Sequence, residues 1–336
     1  MEHHMYDKIV TWYEINKRDL EFRKYKDPYA IWVSEIMAQQ TQIVTMLPYF
    51  IAWMKAFPTI KDCAAADEIT ILKHWEGLGY YRRAQLLHQG CLFICENFDG
   101  VFPERFTDIK KIPGIGDYTA AAIASIAFNQ KTPAIDGNVM RVVSRVLALD
   151  DYIEKTSTKQ TIKNTVQKWM SGCETCDFGS FTQGLMEIGA LVCTPKNPNC
   201  QACPLRMQCK SFQTNTQALY PKRKPRAAIP TLQFATILFI YKNKILFNQD
   251  DQDGLMKGLF RLPQVPLASF KLNENYQKMG ELNHTFSHKK WNLHVYQTKH
   301  SDSIFRVKND RFIQLDLLDE IPIITAHKKI LKKYII

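Results

Sequence analysis

The residues best suited to chemistry are two carboxylates, Glu35 and Asp136, and four thiols, Cys193, Cys200, Cys203 and Cys209. Glu35 lies among Ile31, Trp32, Ile36 and Met37. Burial there would raise its pKa, and a carboxyl kept protonated near neutral pH serves as a general acid. Periodicity alone fits a surface Glu on an amphipathic helix equally well. Asp136 stands before Gly137-Asn138, where a turn meets the next helix, and the ordinary task of such an Asp is to cap that helix. The cysteines follow a C-x6-C-x2-C-x5-C pattern within 17 residues. Thiolates so close in sequence share a metal or a cluster. Zinc is the generic occupant, although its usual pattern is two short Cys pairs and only one C-x2-C occurs here.

Several elements position these groups. Asp27-Pro28 is an N-cap followed by proline at the first helical position, predicting a helix to about Ala38. Gln39, Gln40 and Thr41 occupy the break before a helix from about Gln42 to Phe57, interrupted at Pro48. Amide side chains in such a break suit exposed base edges, or simply solubility. Ile112-Pro113-Gly114-Ile115-Gly116 reads as a tight hairpin: Pro113 ends a helix over Phe106 to Lys111, and the glycines fill positions that a side chain would block. The Ala-rich helix Asp117 to Phe128 follows, so free N–H groups at its start face outward, an arrangement that binds phosphate. Within 6–26 one amphipathic helix followed by the basic segment Arg18 to Arg23 is expected, and further helices at Val139 to Leu149 and twice within 156–192, the last from Phe178 to Val192. Gly77-Leu78-Gly79-Tyr80 is a glycine-rich turn presenting an aromatic.

A chain of 336 residues that is 46% hydrophobic has enough material for two cores. The net charge of +11 suits a polyanionic partner. Both parts carry it: 28 basic against 23 acidic residues over 1–228, and 16 against 10 over 229–336. No apolar run approaches the ~18–20 residues of a membrane span, and the polar start carries no secretion signal, so the expected protein is soluble, cytoplasmic and free of membrane. Without a secretion signal, nine cysteines favour metal or free thiols over a disulfide framework. Cys63, Cys91 and Cys95 read as core thiols, and the Cys173/Cys176 spacing as incidental. Residues 213–228 form a polar, basic linker. Beyond it the texture changes to strands, Leu232 to Tyr241, Ile245 to Asn248 and Trp291 to Thr298, with a late helix from Ala326 to Tyr334.

The run Ser34-Glu35-Ile36-Met37-Ala38-Gln39-Gln40-Thr41-Gln42 closely resembles the signature of MutY-type adenine DNA glycosylases, departing at Ala38, where Leu is usual. The hairpin with Asp136, the Gly77–Tyr80 turn and the cysteine spacing resemble the same helix-hairpin-helix, iron-sulfur superfamily. Where adenine-type members carry Leu-Pro-Trp-Arg, this chain has Leu20-Glu21-Phe22-Arg23. Phe22 therefore replaces the Trp, and Arg23 becomes an adenine-pocket candidate. The strand-rich half is similar to a Nudix-like domain, without the Glu-dense helix of pyrophosphohydrolases.

The resemblance implies a mainly α helix-hairpin-helix glycosylase domain with a [4Fe-4S] cluster loop, plus a C-terminal α+β Nudix-like domain. The helical domain would span 1–212, with 29–136 as the six-helix part and 1–28 with 137–212 as the cluster part. Linker 213–228 and a lesion-recognition domain at 229–336 would follow. The implied activity is excision of adenine paired with 8-oxoguanine, or guanine, in double-stranded DNA, by a monomer associated with a bacterial nucleoid. Glu35 would be the general acid and Asp136 the stabiliser of the oxocarbenium-like sugar, with Tyr118 and Asn138 positioning them. Tyr118 stands where strand-cutting relatives carry Lys, which implies base removal without a strong lyase. Expected DNA contacts are Arg23, Gln39, Gln40, Thr41, Leu78, Gly79, Tyr80, Pro113, Gly114, Ile115 and Gly116. A Phe286-Ser287-His288 loop would contact the lesion. Cys193, Cys200, Cys203 and Cys209 would hold the cluster. An endonuclease III-like pyrimidine glycosylase and a catalytically silent damage-binding protein are the alternatives.

Overall fold

The computed structural model describes residues 3–171, 176–225, 228–249, 256–286, 289–299 and 310–335. Its helices are, in chain order, α1 (His3–Asn16), α2 (Pro28–Ala38), α3 (Ile43–Ala56), α4 (Ile60–Ala65), α5 (Glu68–His74), α6 (Arg82–Phe98), α7 (Phe106–Ile109), α8 (Asp117–Phe128), α9 (Gly137–Leu147), α10 (Thr156–Trp169), α11 (Phe178–Leu191), α12 (Lys210–Gln213) and α13 (Thr325–Tyr334). Local chemistry explains the boundaries. Asp27, Asp67, Asp136 and Asp177 each accept a backbone N–H three residues on, capping α2, α5, α9 and α11. Left-handed Asn129 and Ala148 end α8 and α9. Two expectations need correction. Pro48 does not interrupt α3, which runs through it. The helix before the hairpin stops at Ile109, because one short turn precedes Pro113.

The chain divides into two compact units, residues 1–64 with 89–225, and residues 65–88 with 226–336. In the first, α1, α9, α10 and α11 bury Ile9, Val139, Val143, Ile162, Phe181, Leu185 and Ile188 in one core. The Ala-rich face of α8 packs on α2 and α11, where small side chains let helices approach.

The second unit is built on strands β1 (Thr231–Tyr241), β2 (Lys244–Phe247), β3 (Gln264–Pro266), β4 (Gln277–Thr285), β5 (Lys290–Thr298) and β6 (Arg311–Gln314). Their order is β4-β5-β1-β2-β6, with β3 pairing β1 and with β1 and β5 parallel. Ala235, Ile237, Phe239, Leu246, Tyr276 and Tyr296 form a core on this sheet. Of the loop expected over 284–288, His284 and Thr285 belong to β4, and the Phe286 N–H bonds to Lys289 O at 2.8 Å. Ser287 and His288 lie outside the described residues.

His327 on α13 is fully buried, its Nδ1 accepting the Leu262 N–H (2.8 Å) and its Nε2 meeting Gln264 Oε1 (3.0 Å). That pattern fixes a neutral ring, and burial lowers its pKa from 6.5 to about 3. The unfolded chain binds a proton that the fold excludes between those values, so stability present above pH 6.5 is lost as pH falls toward 3. His327→Leu should flatten this acid sensitivity, yet cost ~1–3 kcal/mol near neutral pH through the abandoned Leu262 N–H and Gln264. Urea titrations followed by hydrogen exchange of β1 and β5 amides, at neutral and acid pH, read both effects.

Candidate active site

A cavity of about 920 Å³ in the first unit is lined by Glu35, Tyr118, Asp136 and Asn138, with Arg18, Arg23, Gln39, Gln40, Thr41, Val44 and Glu187 among its other walls. Elements far apart in sequence thus bring the two carboxyls to one space. Glu35 comes from α2, whose Ile31, Trp32, Ile36 and Met37 are buried. It sits deep in the protein while keeping some area open to the cavity. Burial raises its pKa to about 7, against the hydrogen bond that the Tyr118 hydroxyl donates to Oε2. The nearby Asp136 charge raises it further, and Arg23 lowers it. The apolar setting read from the sequence therefore wins over the surface reading.

Asp136 caps α9 and also faces the cavity, so the capping role and the chemical one fall on the same side chain. Its Oδ1 accepts the Val139 N–H (2.7 Å) and its Oδ2 the Asn138 amide (2.8 Å). Burial raises its pKa, while those N–H donors and the Arg141 charge oppose the rise. Asn138 is itself held: Arg141 donates to its Oδ1 (2.7 Å), to Gly189 O (2.8 Å) and to Cys193 O (2.7 Å). A Cβ at Gly189 would lie 2.5 Å from Asn138 Cβ, so only glycine lets α11 pass this close to α9.

Glu187 is the residue that sequence reasoning missed. Its side chain is 1% exposed and takes Arg18 Nε at 2.6 Å and Arg23 at 2.6 Å. Burial alone would raise its pKa, but the hydrogen bonds and charges of Arg18 and Arg23 carry it down to about 2. The available signal was a lone carboxylate within the apolar stretch of α11, Gly184 to Leu191. Val44, 75% exposed on the cavity wall, was missed as well, since nothing in the sequence sets it apart from a core Val.

The remaining candidates are dispersed. In the hairpin, Gly114 has φ +81°, which explains the glycine. Gly116 does not need to be glycine for internal space, because a Cβ there would meet nothing within 4 Å. It leaves the uncapped start of α8 open, as an anion site requires. Pro113 is half-buried and Ile115 buried. Gln39 donates to Thr119 Oγ1 (3.4 Å), Thr41 to Gln39 O (3.3 Å), and Gln40 is exposed with φ +56°. In the second unit, the turn exposes Tyr80 (41%) and buries Leu78 (6%), with Gly79 at φ +78°.

Cys193, Cys200, Cys203 and Cys209 all line one small cavity with Val142, Val146, Val192 and Phe212. All four are free thiols, and burial pushes Cys203 up to about 12. Arg145 donates to Cys193 Sγ (3.4 Å) and Gln217 to Cys200 Sγ (3.7 Å). Convergent soft donors, apolar walls and N–H groups aimed at sulfur fit an anionic iron-sulfur group. Among the described residues no three His, Cys, Asp or Glu side chains are grouped as for a single metal ion. Cys176 is disulfide-bonded. Its sequence neighbour Cys173 lies outside the described residues.

The geometry makes Glu187 a control on Glu35 as well as on stability. Glu187→Ala should cost ~3–5 kcal/mol, the scale for stripping one partner from a buried ion cluster. It should also lower the Glu35 pKa, because Arg23 loses its counter-charge. Denaturant titration and infrared titration of the carboxyl band measure the two effects.

Two family models match, the HhH-GPD superfamily of base excision DNA repair proteins over residues 33–170 and the NUDIX domain over 235–333. The adenine DNA glycosylase of Buchnera aphidicola subsp. Schizaphis graminum is 34% identical over 298 residues, 85% of this chain and 84% of that one. The human adenine DNA glycosylase is 39% identical over 214 residues, 61% of this chain and 39% of that one. Among solved structures, a thermostable thymine-DNA glycosylase superposes with a TM-score of 0.55 at 23% identity, covering 63% of this chain and 97% of that one, a likeness of fold alone. A non-covalent endonuclease III-DNA complex gives a TM-score of 0.53 at 19% identity, covering 64% of this chain and 96% of that one. With a helix-hairpin-helix unit, a Nudix-like unit and that likeness to adenine glycosylases over most of both chains, this chain belongs to the adenine DNA glycosylase family of base excision repair enzymes.

Proposed function

We propose that this glycosylase removes adenine mispaired with 8-oxoguanine, using Glu35 as general acid and Asp136 as the charge that stabilises the sugar. The observation that carries the reading is the shared cavity: a carboxyl with pKa raised to about 7 faces the same space as one held by N–H donors on both oxygens. The adenine must leave the duplex to enter, since its glycosidic bond is unreachable within the stack. Arg23 Nε, buried without a protein partner, is available to a base in that cavity.

Glu35 then transfers its proton to the purine, making adenine a better leaving group, as the glycosidic electrons move onto the base. The sugar becomes oxocarbenium-like and Asp136 stabilises it. Glu35, now a carboxylate, accepts a proton from the water that attacks the sugar carbon. The Tyr118 hydroxyl offers no amine for a Schiff base, so base removal proceeds without a built-in lyase. Cys193, Cys200, Cys203 and Cys209 would hold the [4Fe-4S] cluster, which supplies one-electron redox chemistry and a cross-link of the cysteine loop when bound. Phe286, with Ser287 and His288, is the candidate for reading the lesion. The enzyme acts as a monomer on DNA.

Excision from duplex DNA, revealed by alkaline strand cleavage, tests the reading. Glu35→Gln and Asp136→Asn should each bind duplex while excision falls ~10²-fold or more. Near-normal turnover in either variant would remove that residue from the chemistry. For wild type, single-turnover rates should fall as pH rises through about 7, where Glu35 loses its proton. Tyr118→Phe removes a hydrogen bond that lowers this pKa, so its alkaline limb should move to higher pH.

The cofactor has a separate test. Anaerobically purified protein should carry about four irons per chain. One zinc and no iron would overturn the cluster assignment.

A further inference from the structure

We propose that α13 and the loops at Lys257 and Ile321–Ile323 position the glycine-rich turn Gly77–Tyr80 through Glu76 and Gln85, coupling recognition opposite the adenine to the probing aromatic Tyr80. This rests on the lesion-reading role assigned above to the 286–288 turn. The turn is stiff. Tyr80, exposed and at φ +50°, has a backbone conformation uncommon for a bulky residue. Trp75 Nε1 and an Arg83 guanidinium N–H both donate to Gly79 O at 3.0 Å, and the Gly77 N–H donates to Tyr81 Oη at 3.1 Å. The Arg83 guanidinium lies 5.3 Å from the Trp75 ring and 5.4 Å from that of Tyr80. A turn tied together in this way moves only with the residues at its two ends.

Both ends are held by α13 and by the loops at Lys257 and Ile321–Ile323. Glu76, one residue before the turn, is 10% exposed. Its Oε1 accepts the Ile323 N–H (3.1 Å), and its Oε2 accepts Lys328 and Lys73 Nζ, each at 2.7 Å. Lys73 also reaches Ile321 O at 3.2 Å. After the turn, Gln85 donates to Lys257 O at 3.1 Å. The approach is close: a Cβ at Gly258 would lie 2.8 Å from Leu72 Cδ1. From the other direction, the Phe286 ring stacks edge-on against Trp291 at 4.9 Å, and Trp291 lies 6.1 Å from His327. His327 is the neighbour of Lys328 on α13. Phe286, Trp291 and His327 thus form a line of ring contacts that ends on α13, the helix whose Lys328 pairs with Glu76 at the base of the probing turn.

The full-length protein tests this with Glu76→Lys, Lys328→Glu and the double charge swap. The first readout is the ratio of single-turnover excision opposite 8-oxoguanine to that opposite guanine. The second is fluorescence of 2-aminopurine placed beside the target adenine, which reports unstacking by the probing side chain. Each single variant should lose about five- to tenfold of the ratio, with a matching fall in fluorescence, the range of ordinary coupling energies. The swap should recover most of both. Unchanged ratio and fluorescence in the singles overturn the proposal, and so does a parallel loss on both substrates that the swap leaves unrepaired, which marks a merely structural contact. If the wild type shows no preference for 8-oxoguanine, the functional reading fails instead, and the fluorescence arm still decides the coupling.

Discussion

A general acid built from a carboxyl needs a dry setting and, equally, no idle cation beside it. Arg23 stands close enough to pull the Glu35 pKa down, though it is the smallest of the influences on that carboxyl. Glu187 takes both Arg23 and Arg18 at 2.6 Å. Burial then dominates at Glu35. One ion cluster therefore sits in the same cavity as a carboxyl with a raised pKa. The arrangement is expensive in desolvation, which argues against stability as the reason for it. Charge separation between the two carboxylates, Glu187 fully paired and Glu35 left to protonate, gives it a chemical purpose.

Asp136 shows how the same economy extends to the backbone. Capping α9 commits Oδ1 to the Val139 N–H, so the carboxylate has one orientation. Asn138 takes Oδ2, Arg141 takes Asn138, and the same guanidinium reaches Cys193 O. The start of α9 and the cysteine loop are consequently parts of one hydrogen-bonded assembly. Arg145, one helical turn further along α9, donates to the carbonyls of Thr194, Pro195, Gln217 and Tyr220 as well as to Cys193 Sγ. Two arginines thereby fix the loop that carries the thiols to the helix that carries Asp136, and rearranging that loop would disturb the carboxylate.

Much of this was legible in the chain. Asp27-Pro28 and the Pro-Gly hairpin announce helix boundaries through local chemistry, and the cysteine spacing announces convergence. Periodicity could not decide Glu35, since burial on α2 depends on α8, a tertiary partner far along the chain. The Glu187 cluster joins residues 164 and 169 positions apart, a separation at which no local pattern exists. Pro48 misled because α3 accepts it without ending. The short strands β3 and β6 carry too few residues for alternation to register, and β4 mixes exposed and half-buried positions. The hairpin glycines looked equivalent in sequence, yet only Gly114 is required by its own backbone.

The excursion of residues 65–88 into the C-terminal unit changes what a domain boundary means in this protein. Composition places a linker before residue 229, and a cut there looks clean in sequence. In space it would strip Glu76 of Lys328 and the Ile323 N–H, Lys73 of Ile321 O, and Gln85 of Lys257 O. Leu72, wholly buried and pressed against Gly258, would be uncovered as well. Removing one partner of a buried charged group costs more than the pair itself contributes, since the remaining charge is left without compensation. A fragment ending at residue 228 would then lack the C-terminal strands and also the support of its own glycine-rich turn. A change in the activity of that fragment could not be assigned to the lost strands alone, whereas point substitutions at Glu76 or Lys328 leave the strands in place and separate the two causes.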